Sequence, residues 1–466
     1  MVDSTDHSIV PQGWTPSPDG RGTMDIVWSC IFTIFLCTWS ILCVNIGAPG
    51  DGLWRYLRYK ILLAGLCILI PDFLQYLAIG QWESACQSVD EFSNSGFAGW
   101  SMKHAFFADM GGFILTTNDG LSWPLDAKQL HYLIIEGWIK EPMISSQIML
   151  DKNVIDDKNK TDTVLRIITL AQTLWFVINC IGRRCQDLTI TTLEITTLGI
   201  IVTSIAVLFF WAHKPAGIKI PCLLNIEASI NDIRRKAGFV APWYQTPLDF
   251  PDREESYCFV CWDYHLNILR HLRLLPNRKP QIIDRRRDDN FPSVSALGNV
   301  FSAIIGSMSF GINLMAWNFW FPSTIERKMW RASAITLWTC LTLGWIYQWI
   351  LTTWFPKLKE HACSRFASIR HEIVSETSIR RSRPSGSVKE RIITKLKALA
   401  DRLRNISSNK DPALTVPLKV IIPAVFFAVF YVIARFYLLA EDLIAFRALP
   451  ADAYKTVNWS QFFLHV

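Results

Sequence analysis

Charge is the scarcest property of this sequence: 19% of its 466 residues are Asp, Glu, Lys or Arg, against about 25% in an average soluble domain. That balance is too apolar for an ordinary soluble enzyme. The chain contains no nucleophile elbow, Walker loop, Rossmann fingerprint or HExxH pair, which disfavours the familiar hydrolases, phosphate-loop NTPases, dinucleotide dehydrogenases and zinc peptidases. Alternating segments about ten residues long are missing too, so a transmembrane barrel is not expected. The N-terminal run MVDSTDHSIVPQGW has no basic region followed by an apolar one. It does not read as a cleaved signal peptide, and the first apolar segment is expected to act as the anchor. Six of the 12 cysteines (Cys30, Cys37, Cys43, Cys67, Cys180, Cys340) fall inside apolar segments as small core residues, and no disulfide framework is implied.

What is abundant is apolar surface in unbroken blocks. Half the chain is hydrophobic and 20 residues are Trp, a ring that favours the level of lipid headgroups. A helix needs about 20 apolar residues to cross about 30 Å of hydrocarbon. Seven stretches qualify: Ile26–Ile46, Ile61–Ile79, Val164–Ile181, Leu188–Trp211, Leu297–Trp320, Ala332–Trp354 and Val420–Ala440. The expected fold is therefore an all-α polytopic membrane protein of about seven transmembrane helices, with two partly folded inserts and a basic interfacial amphipathic helix. Residues 1–80 hold the first two spans, 164–211 the second pair, 297–354 the third pair and 416–466 the last span with its tail.

The intervening segments differ in character. The insert at 81–163 is acidic, and Asp126 with Gln129 forms a capping box ahead of the apolar face Leu130, Leu133, Ile134 and Trp138. The insert at 212–296 is basic and rich in Pro, Trp and Tyr. The loop at 355–415 carries Ser387 and Glu390 as a second capping box, followed by Ile392, Leu396, Leu399 and Leu403 among lysines and arginines. This spacing predicts an interfacial helix over Val388–Arg404, with anionic lipid headgroups as its partner. Nucleic acid is not expected, because the net charge of +7 is modest and arises in two loops.

Orientation is contested within the sequence. Arg55, Arg58, Lys60, Arg183 and Arg184 argue for cytosolic short loops, whereas Arg278, Lys279, Arg285–Arg287, Lys357, Lys359, Arg365, Arg370, Lys397, Arg402 and Arg404 argue for cytosolic inserts. The larger total favours the inserts and a cytosolic N-terminus. Seven spans put the termini on opposite sides; a hidden re-entrant segment would reconcile the two sets.

Ionisable groups inside the spans are the first candidates for function. Asp72 follows Pro71 near the middle of the second span, with Gln75 on the same face. It reads equally as a proton donor or ion ligand and as a kink carboxylate paired with a neighbouring helix. Glu194 lies early in the fourth span. Gln172, Trp175 and Asn179 line one face of the third, either as interhelical hydrogen bonds or as the wall of a polar cavity shared with the two acids. Trp338, Trp345 and Trp349 fall within about 40° of one another around the sixth helix, as a packing stripe or as an aromatic wall for a substrate cation. Arg435 and Asp442 share a face of the last span as an expected ion pair. In the first insert, His104 and Asp109 form a short acid–base cluster or an ordinary turn. Cys258 and Cys261, followed by His265 and His271, sit too close together for the usual pairs of zinc ligands. No metal or cofactor is expected.

GWTPSPDGRGTMDIVWSCIFTIFLCTW (Gly13–Trp39), LWFVINCIGRR with ITTLEITTLG and FFWAHKP (Leu174–Pro215), and FRALPADAYKTVNWSQF (Phe446–Phe462) resemble a widespread family of fungal polytopic integral membrane proteins. The resemblance spans nearly the whole chain. It implies a multi-pass membrane protein of obscure function, sometimes associated with secondary-metabolite clusters, and an endomembrane such as the endoplasmic reticulum rather than the plasma membrane. Three functions compete: an intramembrane terpenoid cyclase or isomerase with Asp72, Glu194, His104 or Asp109 as its acid–base groups and a hydrophobic small molecule as substrate; a small-metabolite or ion transporter; and a non-catalytic scaffold or lipid-binding protein.

Overall fold

The computed structural model describes residues 11–17, 20–149, 160–218, 221–238, 246–251, 257–275, 282–350 and 418–462. Among these residues four helices are long and apolar enough to cross a membrane, or five if one sharply bent pair counts as a span. Among the described residues the α-helices of seven residues or more are, in chain order, α1 (Thr23–Trp39), α2 (Leu53–Leu69), α3 (Pro71–Asn94), α4 (Met102–Asp109), α5 (Ala127–Ile135), α6 (Lys160–Cys185), α7 (Thr192–Phe210), α8 (Ile230–Lys236), α9 (Tyr257–His271), α10 (Ala296–Leu314), α11 (324–350) and α12 (Leu418–Ile444). The short strands are β1 (Pro11–Gln12), β2 (Phe113–Thr116), β3 (Ser122–Leu125), β4 (Cys222–Asn225) and β5 (Leu449–Pro450).

The central helix is α7, the most buried of the four long spans, in contact with α1, α3, α6, α10 and α12. Thr191 caps it, accepting from Glu194 N, and Gly199 lets α10 approach closely: a Cβ there would stand 2.8 Å from the Ser309 carbonyl oxygen. Small residues at such crossings are how membrane helices gain packing contact without a hydrophobic driving force.

Two expected spans take a different form. Helix α1 ends at Trp39, and residues 41–46 run on without helix. Ile41, Leu42, Cys43, Val44 and Ile46 are buried nonetheless, so their apolar character serves packing and not a longer span. The stretch Ile61–Ile79 is broken at Ile70: α2 stops, Pro71 opens α3 at its first position, and the two axes differ by 113°. Proline has no N–H to continue the α2 ladder, and its fixed φ suits a helix start. Both limbs return to one layer of the protein. Tyr59 of α2 lies 4.1 Å beneath the Arg285 guanidinium, and Glu83 of α3 accepts from Ser295 N at 2.6 Å.

The inserts at 81–163 and 212–296 share one sheet, in the order β3-β2-β4, with β2 and β4 parallel. Asp126 caps α5 as its spacing predicts, accepting from Gln129 N at 2.7 Å, and Leu130, Leu133 and Ile134 are buried. One apolar core runs from α2 and α3 through this layer. At the other end of the bundle β1 pairs with β5, so the residues leading into α1 and those following α12 lie together. The predicted helix Val388–Arg404 and residues 351–354 of the sixth expected span lie outside the described residues.

Candidate functional site

Polar side chains gather at two places, one within the bundle and one where the insert layer meets it. The first is the break between α2 and α3. Ending α2 at Leu69 frees its last carbonyls, and α12 supplies the donors: Arg435 Nη2 gives to Ile68 O at 2.9 Å and Tyr431 Oη to Leu69 O at 3.2 Å. The same hydroxyl lies 3.2 Å from Asp72 Oδ1, and Asp72 sits in the first turn of α3, where the helix dipole favours a carboxylate. Beside it a crevice too tight to admit a water molecule is lined by Pro71, Thr196, Gly199, Ser309, Asn313 and Arg435, among others.

Glu194 does not join this group. Its Oε2 closes the α7 capping box by accepting from Thr191 N at 2.8 Å, and its other oxygen pairs with Arg21. Thr196, which lines the crevice, is two residues further on and so lies on the opposite side of α7. Gln75 donates to Ser302 O and Oγ, joining α3 to α10, and Gln172 donates to Thr33 Oγ1, joining α6 to α1. Trp175 is exposed, its ring 5.4 Å from that of Trp459, and Asn179 is half-buried on the same helix. The Trp stripe divides. Trp338 and Trp349 are 40% and 66% exposed, while Trp345 packs inward, 5.4 Å from Tyr76. An enclosed aromatic wall is therefore not what α11 presents. Arg435 makes no ion pair with Asp442, because its guanidinium turns to the broken helix and both carboxylate oxygens of Asp442 are left without a hydrogen-bond partner.

The second gathering lies under the sheet. Asp109, at the end of α4, accepts from Ser84 Oγ and Ala127 N, each at 3.1 Å. Asp126 and Gln129 both accept from Arg286 Nη2, at 2.6 and 2.9 Å. Gly111 permits this approach: its φ is +84°, and a Cβ would stand 3.3 Å from Arg286 Cγ. Each member of the Arg285–Arg287 run is paired, with Asp288, with Asp126, and with Asp263 and Asp289. Lys214 follows α7 and is 2% exposed. Its Nζ donates to Gln81 Oε1 at 2.8 Å and stands 4.0 Å from the Trp211 ring centroid. His104 is not part of this cluster; its Nδ1 caps α4 through Ser101. His265 and His271 each spend a ring nitrogen on the backbone carbonyl one turn back. No group of metal-ligating side chains is present among the described residues.

Burial, with the neighbouring Asp126 charge, pushes the Asp109 carboxyl up to about 6, and burial pushes the Lys214 amine down to about 8. The two shifts act in different pH windows. A carboxyl raised from 3.8 binds its proton more tightly in the fold, so stability falls as pH climbs from about 3.8 to about 6 and stays lowered above that. An amine lowered from 10.5 binds its proton more weakly in the fold, so its cost is full below about 8 and fades as pH rises toward 10.5. Thermal unfolding of the detergent-solubilised protein across pH is expected to show this alkaline gain. Lys214→Met is expected to remove it; an unchanged slope in the variant would mean that the amine is not buried in its charged form.

From the sequence, Asp72, Asp109 and Asp126 were legible, and Arg286 only as part of a basic run, whereas Lys214, Tyr431 and Thr196 were not singled out. The signal for Lys214 was a lone cation immediately after an apolar run ending in Trp211. Residues 2–234, half of the chain, match the profile of a family described as "Family of unknown function (DUF8562)". No curated protein and no solved structure matches the chain.

Proposed function

The chain belongs to the family of unknown function DUF8562, a membership that brings no activity with it, and we propose from the geometry that the protein is a membrane transporter for a small metabolite or ion, with Asp72 at its substrate or coupling-ion site. The observation that carries this reading is the break at Ile70–Pro71, which sets a carboxylate at a helix start inside the bundle, between the ends of two half-helices. Discontinuous helices of this kind supply the charged helix ends and unwound carbonyls at which membrane transporters hold their cargo. The narrow crevice beside Asp72 then corresponds to a closed state. Uptake of solutes by proteoliposomes, with and without Asp72→Asn, tests it; uptake by the variant equal to wild type would end it.

A second reading, an acid–base lyase or isomerase acting on a hydrophobic small molecule, is favoured by the layer under the sheet. There a carboxyl titrating at about 6 and an amine titrating at about 8 share one buried compartment, a pairing suited to proton transfer near neutral pH. Its acid would be Asp109 and not Asp72 with the Trp stripe. Loss of the same product from hosts carrying Asp109→Asn or Lys214→Met would favour it.

A re-entrant α2–α3 pair places the loop bearing Arg55, Arg58 and Lys60 on the side of the basic inserts, and these together favour that side as cytosolic. The β1–β5 end is then lumenal, which replaces the expectation of a cytosolic N-terminus. Arg184 stays on that lumenal side, and Arg183 is buried there against the carbonyls of Thr189, Asp452 and Ala453. Cys185 is exposed at the β1–β5 end. In sealed endoplasmic-reticulum microsomes an impermeant maleimide is expected to label it only after permeabilisation, scored as the signal lost in Cys185→Ser; labelling without permeabilisation would reverse the orientation. Anionic lipid headgroups along 388–404 remain the proposed partner on the cytosolic side.

A further inference from the structure

Asp442 is 1% exposed, and neither of its carboxylate oxygens has a hydrogen-bond partner. It lies in the last turn of α12, inside the segment apolar enough to span a membrane. An ionised carboxylate without a well-formed hydrogen bond in so apolar a setting costs several kcal/mol, a cost that a bound proton removes. Across the helix interface Asp442 faces the hydroxyls of Thr192 and Thr196 on α7, which act on the carboxyl and have no other partner.

Further polar groups stand on either side of it. On α12, Tyr431, Arg435 and Asp442 follow at intervals of four and seven residues, one face spanning roughly 16 Å of helix. Toward the β1–β5 end stand two more carboxylates. Glu441 is 2% exposed and accepts from Tyr437 Oη at 3.2 Å, and its Oε1 is unpartnered. Glu326 pairs with the half-exposed Arg447 at the rim, and its Oε2 is buried without a partner. Toward the bundle centre stand Arg435 and Asn313, whose Nε and Oδ1 are also unpartnered, and beyond them Tyr431 and Asp72.

We propose that Asp442 is the proton-loading site of the pathway that leads to Asp72, fed through Glu326 and Glu441 from the β1–β5 face. The inference rests on the transport reading and names its coupling ion. In the loading step a hydronium ion protonates the Asp442 carboxylate and leaves water; in the release step the proton passes back to water, with no change of oxidation state.

Dicyclohexylcarbodiimide, which reacts with protonated carboxyls in apolar surroundings, tests this on the full-length protein in micelles, with the adduct located by peptide mass spectrometry. Asp442 is expected to be labelled at acid pH, with labelling falling about tenfold for each pH unit above its midpoint and unchanged when sodium replaces choline. Glu194, held by Arg21, should stay unlabelled. Thr192→Val with Thr196→Val keeps the carboxyl and should move the labelling midpoint without abolishing it. Protection by sodium at constant pH would make this a cation site, and absence of adduct at every pH would show a paired carboxylate; either overturns the proposal. Labelling does not depend on flux. Solute uptake without proton-dependent labelling would remove Asp442 and leave the transporter, and labelling without uptake would do the reverse.

Discussion

Replacing Arg286 by alanine is expected to destabilise the protein by about 3–5 kcal/mol, the cost of leaving a buried carboxylate without its counter-ion. Arg286 is 7% exposed and gives one guanidinium nitrogen to both Asp126 and Gln129. Its stem also fills the space that Gly111 leaves open. Asp126 in turn caps α5, and Gln129 passes a hydrogen bond to Thr246. Loss of the arginine therefore strands an acid, weakens a helix start and opens a gap at once, all within the layer that joins the two inserts. Limited proteolysis with thermal unfolding checks it: cuts should appear first in the sheet layer and the midpoint should fall. Asp126→Asn in the Arg286→Ala background should recover much of the loss, because the stranded charge is then gone. No recovery would assign the effect to packing alone.

Asp72→Asn is expected to reduce transport to background while the protein accumulates and unfolds nearly as wild type does. The amide keeps the volume of the acid and can still meet the Tyr431 hydroxyl, and the carbonyls of Ile68 and Leu69 keep their donors from α12. What disappears is the ability to carry a charge or exchange a proton. A stability change above about 1.5 kcal/mol, the upper end for one ordinary hydrogen bond, would point instead to a carboxylate whose work is to hold the broken helix together.

How far the sequence could be read follows from which property each element depends on. Hydropathy found the long helices because lipid demands the same apolar length wherever the helix packs. It misread Ile41–Ile46, which are apolar because the insert layer covers them. It joined α2 to α3 because Pro71 reads alike as a kink within a helix and as the first residue of a new one; only tertiary contacts separate the two. Glu194 was legible after all, since Thr191 with Glu194 is a capping box written in the chain, but its depth in an apolar run drew attention to the charge. The angular clustering of Trp338, Trp345 and Trp349 fixed their shared face and could not say which way it turned. Asp109 was visible as an acid beside two glycines, whereas Lys214, Ser84 and Arg286 come to its compartment from distant parts of the chain.

The measurement that bears most directly on the central claim is the content of sealed vesicles. Proteoliposomes of wild type, of Asp72→Asn and without protein would be incubated with a small-molecule extract of host cells, and the vesicle contents compared by mass spectrometry. A solute enriched inside wild-type vesicles alone, chemically unaltered, is the result this account predicts. A compound altered by the wild-type protein, with no solute enriched across the membrane, would contradict it.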